Sequence, residues 1–292
     1  MAMGGRILFF LCKILVSVPG LLNVLAFIAS TSNRLFIQYR QKVILQNLRN
    51  SFPEYSESQM HQIKNQFYAL LVRYFKETLV MGLGSASRAK QLLKLGNTAD
   101  LSLLQSSGRS TVLMATHFGN WEMFALLPVL FEDCTFIAFY KPVSNKAADY
   151  LMQQIRMRFG VKIFPSDQAA RVIAKYSNQT VHYLFIADQT PFNMNGVYWN
   201  DFLHQNTPWL TGAEKLAKRL KMPVFYLALE DRADLKAYNL HLKPISPDAS
   251  KESTGAVTEK YARLLEAQIK NAPAYWLWSH RRWKRSAMKQ NQ

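Results

Sequence analysis

The 292 residues suffice for one large domain or for one domain with a small appendage, and with 49% hydrophobic and 19% charged residues the chain can build a sizeable core. That balance excludes intrinsic disorder, and two cysteines, Cys12 and Cys134, argue against a disulfide framework or a cysteine-based zinc site. A formal charge of +17 favours polyanionic partners: nucleic acid, an anionic membrane surface, phosphorylated lipids or an acidic carrier protein.

The charge gathers at the ends. The first 53 residues carry six basic side chains and no acidic one, and the last 26 carry six more after Glu266. Within the first segment, the 24 residues Ile7–Ser30 are interrupted only by Lys13, Pro19-Gly20 and Asn23. As one helix they would reach about 36 Å, enough to cross a bilayer core. A cleaved signal peptide is disfavoured because Lys13 interrupts the apolar run and no small-x-small site follows promptly. A helix kinked at Pro19-Gly20 could lie in the interface or re-enter instead. A buried core helix fits poorly with a run that is apolar nearly all round. Residues 1–33 are therefore read as a membrane anchor, spanning or in-plane, and 34–292 as one catalytic-type domain.

Next in the chain, Phe36, Val43, Ile44 and Leu48 predict a helix over 35–50, stopped by Phe52-Pro53. Ser56 with Gln59 forms a capping-box pair opening a helix that runs to about Met81. Residues 86–106 predict one or two shorter helices. The period then changes. Strand-length apolar runs at 111–116, 135–140, 161–164, 181–187 and 224–230, with another near 238–242, alternate with helical spacing from Trp121, at 145–159, 168–176, 209–220 and 255–271. Such alternation predicts an α/β sandwich with a largely parallel sheet.

In an open α/β sheet, reactive groups collect where strands end and helices begin. One such place is Thr116-His117-Phe118-Gly119-Asn120-Trp121-Glu122. There His117 occupies the turn, Gly119 relieves backbone strain, Asn120 is a natural N-cap, and Glu122 falls in the first helical turn. A strand–turn–helix can fold such a carboxylate back towards the imidazole, giving a general base oriented by an acid. The bland alternative has His117 satisfying a carbonyl and Glu122 assisting the cap. A second place is Ala187-Asp188-Gln189, where Asp188 is either a loop cap or a member of the same site. Arg156 and Arg158 could face a phosphate or an oxyanion, but residues two apart point to different helix faces, so at most one reaches the site.

Other chemistries find no support. The chain has no G-x-S-x-G elbow, no Walker A loop, no dinucleotide-binding glycine fingerprint and no H-E-x-x-H, so neither a cofactor nor a metal is expected. A nucleic-acid-binding module would account for Arg281–Arg285, yet no nucleic-acid motif is present and the apolar N-terminus would lack a purpose. A catalytically silent membrane scaffold is opposed by the intact His117 and Glu122. What remains is base-assisted attack by a substrate's own hydroxyl.

From about Arg34 to Lys284 the sequence resembles the lipid A biosynthesis acyltransferase family, which adds secondary acyl chains to lipid A precursors. The resemblance is carried by His117-Phe118-Gly119-Asn120-Trp121-Glu122, similar to the family's H-x-x-x-x-E/D signature. Asn47-Leu48, Phe52-Pro53-Glu54, Asp188-Gln189, Gly196-Val197, Phe202 and Thr207 support it, as does the ending Pro273, Tyr275, Trp276, Trp278 and His280–Lys284. It implies a glycerolipid-acyltransferase-like α/β fold, a bacterial inner-membrane location with the catalytic domain on the cytoplasmic face, an acyl-acyl-carrier-protein donor and an anionic lipid acceptor. It also implies that His117 deprotonates the acceptor hydroxyl and Glu122 orients His117. Asn120, Lys141, Arg156, Arg158, Asp188 and Gln189 are then the candidate substrate-binding residues. Lys141-Pro142 departs from the family's usual arginine-proline, keeping the charge but losing the bidentate fork. Relatives of the family also acylate other lipids, so the alternative reading is an acyltransferase of the same family acting on another membrane acceptor, such as a glycerophospholipid, an aminolipid or another glycolipid. The aromatic cluster Tyr275, Trp276, Trp278 and Trp283 among arginines reads either as an interfacial belt or as a buried C-terminus.

Overall fold

The computed structural model describes residues 3–32, 38–97, 104, 108–232 and 237–286. Its central sheet holds seven strands: β1 (Leu93–Leu95), β2 (Thr111–Ala115), β3 (Thr135–Tyr140), β4 (Lys162–Pro165), β5 (Val181–Ile186), β8 (Val224–Arg232) and β9 (Ala237–Ser246). Their order is β1-β9-β8-β2-β5-β3-β4, and every pairing is parallel except β8 with β9. The expected α/β class is found.

The sheet is covered on both faces, which is why its central strands are apolar at consecutive positions rather than alternating with polar ones. On β2, Val112 and Met114 join one core while Leu113 and Ala115 join the other. Tyr226 and Leu227 on β8 divide in the same way. The first core takes Ile44 and Leu48 from α3 (Gln41–Ser51), Ala213 and Ala217 from α9 (Gly212–Arg219), and Tyr261 and Leu265 from α10 (Ala256–Asn271). The second takes Leu127 from α6 (Leu127–Leu130) and Leu151 and Ile155 from α7 (Lys146–Met157). The long α4 (Glu57–Leu83) serves both, with Phe67 in one core and Met81 in the other. It opens with the expected Ser56–Gln59 capping box.

Three local readings differ. Residues 86–106 supply the short helix α5 (Ala86–Lys90) and then β1, whose three residues pair with β9; most of 98–107 lies outside the described residues. The predicted 35–50 helix begins at Gln41, residues 33–37 likewise lying outside them. A hairpin, β6 (Tyr198–Phe202) with β7 (Gln205–Trp209), precedes α9. Its two-residue turn, Leu203-His204, has φ of 50° and 61°, a conformation normally signalled by Asn or Gly.

The N-terminal apolar run forms two helices, α1 (Met3–Ser17) and α2 (Leu21–Ser32), bent by 106°. Gly20 adopts φ +79° at the bend, and Pro19 beside it has no N–H to continue a helix. Among the described residues no single helix is long and apolar enough to cross a membrane; the bent pair passes only as two pieces together. The uninterrupted 36 Å helix is thus replaced by the kinked alternative. Leu8, Phe9, Cys12 and Val16 pack against the second core, Phe9 meeting Tyr150 of α7 edge to face. Ile7, Phe10, Leu11 and Ile14 stay exposed.

Candidate active site

Strands β2 and β5 are neighbours with Ala115 opposite Ile186, so two residues beyond each end the chain brings His117 opposite Asp188. The pair is tightly joined. His117 Nδ1 donates to Asp188 Oδ1 at 2.6 Å, and the His117 backbone N–H donates to Oδ2 at 2.9 Å. The indole Nε1–H of Trp276 donates to that same Oδ2, also at 2.9 Å. Burial alone would push the Asp188 carboxyl up. The His117 imidazole, the Trp276 N–H and the His117 amide outweigh it and hold the group below its ordinary value. With Nδ1 engaged as donor, the Nε2 lone pair is left for a proton. Gln189 Nε2 sits 3.1 Å from it and donates there. The His117 side chain keeps 15% of its surface exposed, whereas that of Asp188 keeps 1%.

The turn carrying His117 is held from several sides. Gly119 sits at φ +67°, which a side chain would strain, and its N–H donates to Tyr275 O at 3.0 Å. Phe118 forms a backbone bridge to Trp276 and stacks on Tyr275 at 5.7 Å. Asn120 was expected to cap the following helix and to touch substrate. Its side chain makes no cap; it is buried, donating to Tyr74 O and Glu77 Oε2 at 3.1 Å each and accepting from Thr78 Oγ1 at 3.3 Å. The reason is that α4 passes directly behind the turn, where a short amide satisfies helix atoms that water cannot reach. Glu77 is itself held by Arg73 at 2.9 Å and by Tyr238 Oη at 2.7 Å.

Glu122 differs from its expected contact. It lies in a 3₁₀ turn, Trp121–Leu126, and its carboxylate accepts Nε and Nη2 of Arg156 at 2.8 and 2.6 Å and Nε1 of Trp121 at 3.1 Å. The carboxylate on His117 Nδ1 is that of Asp188. Trp121 stands between the two systems, its ring 4.9 Å from the imidazole and inclined at 67° to it, edge to face. Burial would lower the Arg156 pKa, but the Glu122 hydrogen bonds and charge raise it. Arg158, two residues on, turns away as the spacing required: it donates to Met81 O and Gly84 O at the end of α4 and covers the Phe159 ring. Arg156 is thus the arginine beside the motif. Lys141 is exposed in the loop after β3.

The aromatic C-terminus follows the buried alternative, with Trp276 and Trp278 3% and 0% exposed. Arg282 is equally buried, lying 4.6 Å from the Trp209 ring centroid and donating to Pro208 O. Sequence reasoning missed Trp276 as a site residue because no spacing rule links position 276 to 188. Among the described residues no group of three or more His, Cys, Asp or Glu could hold a metal.

A buried carboxylate that engages one imidazole nitrogen and leaves the lone pair of the other for a proton, at the strand ends of an α/β sheet, is an arrangement that can serve general-base chemistry. The bacterial lipid A biosynthesis acyltransferase family matches residues 7–285, and the chain belongs to that family. It is 24% identical over 255 residues to the lipid A biosynthesis lauroyltransferase of Escherichia coli K12, covering 85% of this chain and 80% of that one. It is 20% identical over 251 residues to the lipid A biosynthesis palmitoleoyltransferase of the same organism, covering 86% and 81%. A lipid A biosynthesis acyltransferase of Haemophilus influenzae is 22% identical over 240 residues, covering 80% and 72%. The enzyme is an acyltransferase.

Proposed function

We propose that the enzyme transfers a fatty acyl chain from an acyl-acyl-carrier-protein thioester to a hydroxyl of a lipid A precursor, with His117 as general base. The observation that carries this reading is the 2.6 Å contact from His117 Nδ1 to the buried Asp188 carboxylate, which leaves Nε2 as the proton acceptor. The acceptor hydroxyl replaces the Gln189 amide at Nε2 and gives up its proton as its oxygen attacks the thioester carbonyl. The tetrahedral intermediate then breaks its C–S bond, and the departing thiolate takes the proton back from Nε2, leaving ester and free carrier thiol. Asp188 orients His117 and stabilises the transient imidazolium, as carboxylates paired with imidazoles do. Proton transfer of this kind contributes about 10²–10⁴ in rate. Glu122 and Arg156 form a charged pair beside the motif, and Gln189 and Lys141 are the substrate-facing polar groups of the adjoining loops.

The bent α1–α2 pair lies in the interface of the bacterial inner membrane, its exposed Ile7, Phe10, Leu11 and Ile14 in the acyl region, with the catalytic domain on the cytoplasmic face. A net charge of +17 attracts the three anionic partners alike: the membrane surface, the lipid acceptor and the acidic carrier.

The test is mass spectrometry of lipid A from cells lacking the protein, complemented with wild type or His117→Ala. Loss of one acyl mass, restored by wild type alone, is expected, and that mass gives the chain length. Unchanged lipid A in every strain refutes the lipid A acceptor, and another membrane lipid lacking one chain in the same extracts would replace it. Recovery of the wild-type protein in the soluble fraction of these cells would refute the membrane seating.

A further inference from the structure

The site's least expected member comes from the far end of the chain. Trp276 contacts Asp188 itself and the residue that follows His117. Its backbone bridges Phe118, next to His117, and its indole N–H reaches Asp188 Oδ2 at 2.9 Å. The ring is wedged among Trp278, Phe202 and Trp283 with centroids 4.8, 5.9 and 5.7 Å away, so it cannot swing off the carboxylate. From these contacts we infer that Trp276 is a positioning residue for catalysis, holding Asp188 so that Oδ1 faces His117 Nδ1. The inference rests on the reading of His117 as general base.

The physical argument concerns a carboxylate cut off from water. Oδ2 has two donors, the His117 amide and the Trp276 indole, and both come from residues that the fold fixes. Removing the indole N–H leaves a buried anion one donor short. Its torsion is then held from one side only, and the short bond to Nδ1 loses its fixed direction. The pair also grips its proton more tightly, because a donor to the charged carboxylate has been lost. Two effects follow together: slower turnover and a base that titrates at higher pH.

The test uses the purified full chain with an acyl-carrier-protein thioester and a lipid A precursor. Trp276→Phe keeps a buried aromatic ring and deletes the N–H. The expected result is a fall in kcat of about tenfold or more, the scale of one hydrogen bond to a buried charged group, with the acceptor KM within about twofold of wild type. The acid limb of the pH–rate profile moves to higher pH. Trp209→Phe is the control, since Trp209 is as buried and donates its N–H to Asn200 Oδ1, away from Asp188. It should lower the melting temperature similarly and leave the acid limb in place. Should Trp276→Phe fail to fold, site-specific benzothienylalanine at 276 preserves the shape of indole without its N–H, and the same shift is expected. An unmoved acid limb, or equal movement in the Trp209 control, overturns the inference. Full activity in His117→Ala would instead overturn the general-base reading itself, so the two failures are distinguishable.

Discussion

The strand pair β2–β5 carries a histidine at each end, and the two have opposite properties. At the starting end His182, on β5, faces Thr111 on β2, with Nδ1 2.8 Å from the threonine Oγ1. At the finishing end His117, after β2, faces Asp188, after β5. Both are cross-strand pairs between the same neighbours. His182 is 1% exposed and burial pushes its pKa down to about 4, so it stays neutral. A hydroxyl can hydrogen-bond an imidazole but offers no charge to balance an imidazolium. A carboxylate does, and the His117 side chain keeps 15% of its surface exposed. Position in a sheet therefore does not by itself suit a histidine to act as a base; in the proposed mechanism the charge of its partner and a path for the proton do.

Three measurements would break or sharpen that contrast, beginning with the largest effect. Asp188→Asn keeps the shape of the partner and removes its charge. The rate should fall by about 10²–10⁴ while the fold survives, as judged by circular dichroism. A loss smaller than tenfold would make Asp188 no more important to His117 than Thr111 is to His182.

Glu122→Gln comes next, and it acts through Arg156. Breaking a fully buried ion pair destabilises by about 3–5 kcal/mol, and less is expected here because Arg156 is 29% exposed. Denaturant titration should show the loss, and the double change Glu122→Leu with Arg156→Met should recover most of it. The acid limb of the remaining activity should not move. A loss of rate as large as that of Asp188→Asn would restore Glu122 as the carboxylate acting on His117.

The smallest effect belongs to His182. Its folded pKa of about 4 lies below the ordinary value near 6.5, so between those limits the unfolded chain binds a proton that the folded chain refuses. The stability associated with neutral His182 is fully present above about pH 6.5 and declines as pH falls towards about 4, by at most ~1.4 kcal/mol per pH unit. Urea midpoints at about pH 7 and about pH 5 should differ less in His182→Gln than in wild type, with activity at about pH 7 unaffected. Equal midpoint differences would mean that His182 is not held neutral by its burial.

Much of the candidate site was legible because strand ends are local events. The apolar runs TVLMAT and VHYLFIA mark β2 and β5, and the polar residues just past them are His117 and Asp188. The partner of His117 was less legible. Five residues of separation suggested Glu122, but 3₁₀ winding and the approach of α7 send that carboxylate to Arg156. Pairing β2 with β5 then supplies Asp188, 71 positions away. Asn120 shows the same limit: its residue type suits a cap, and the passage of α4 behind it makes it a brace. The β6–β7 hairpin escaped notice because Leu203-His204 lacks ordinary turn chemistry.

By itself the sequence determined the α/β class, the kink-prone apolar N-terminus and the positions of His117 and Asp188 just past strand ends, and its motifs carried the family resemblance. Each of these follows from composition, from periodicity or from motifs a few residues long, which neighbouring side chains and backbone sterics settle locally. Only the tertiary structure decided which carboxylate meets His117, which arginine meets Glu122, and that Trp276 closes on Asp188. Those contacts join residues tens of positions apart, and they exist because sheet order and core packing bring distant segments within hydrogen-bond reach.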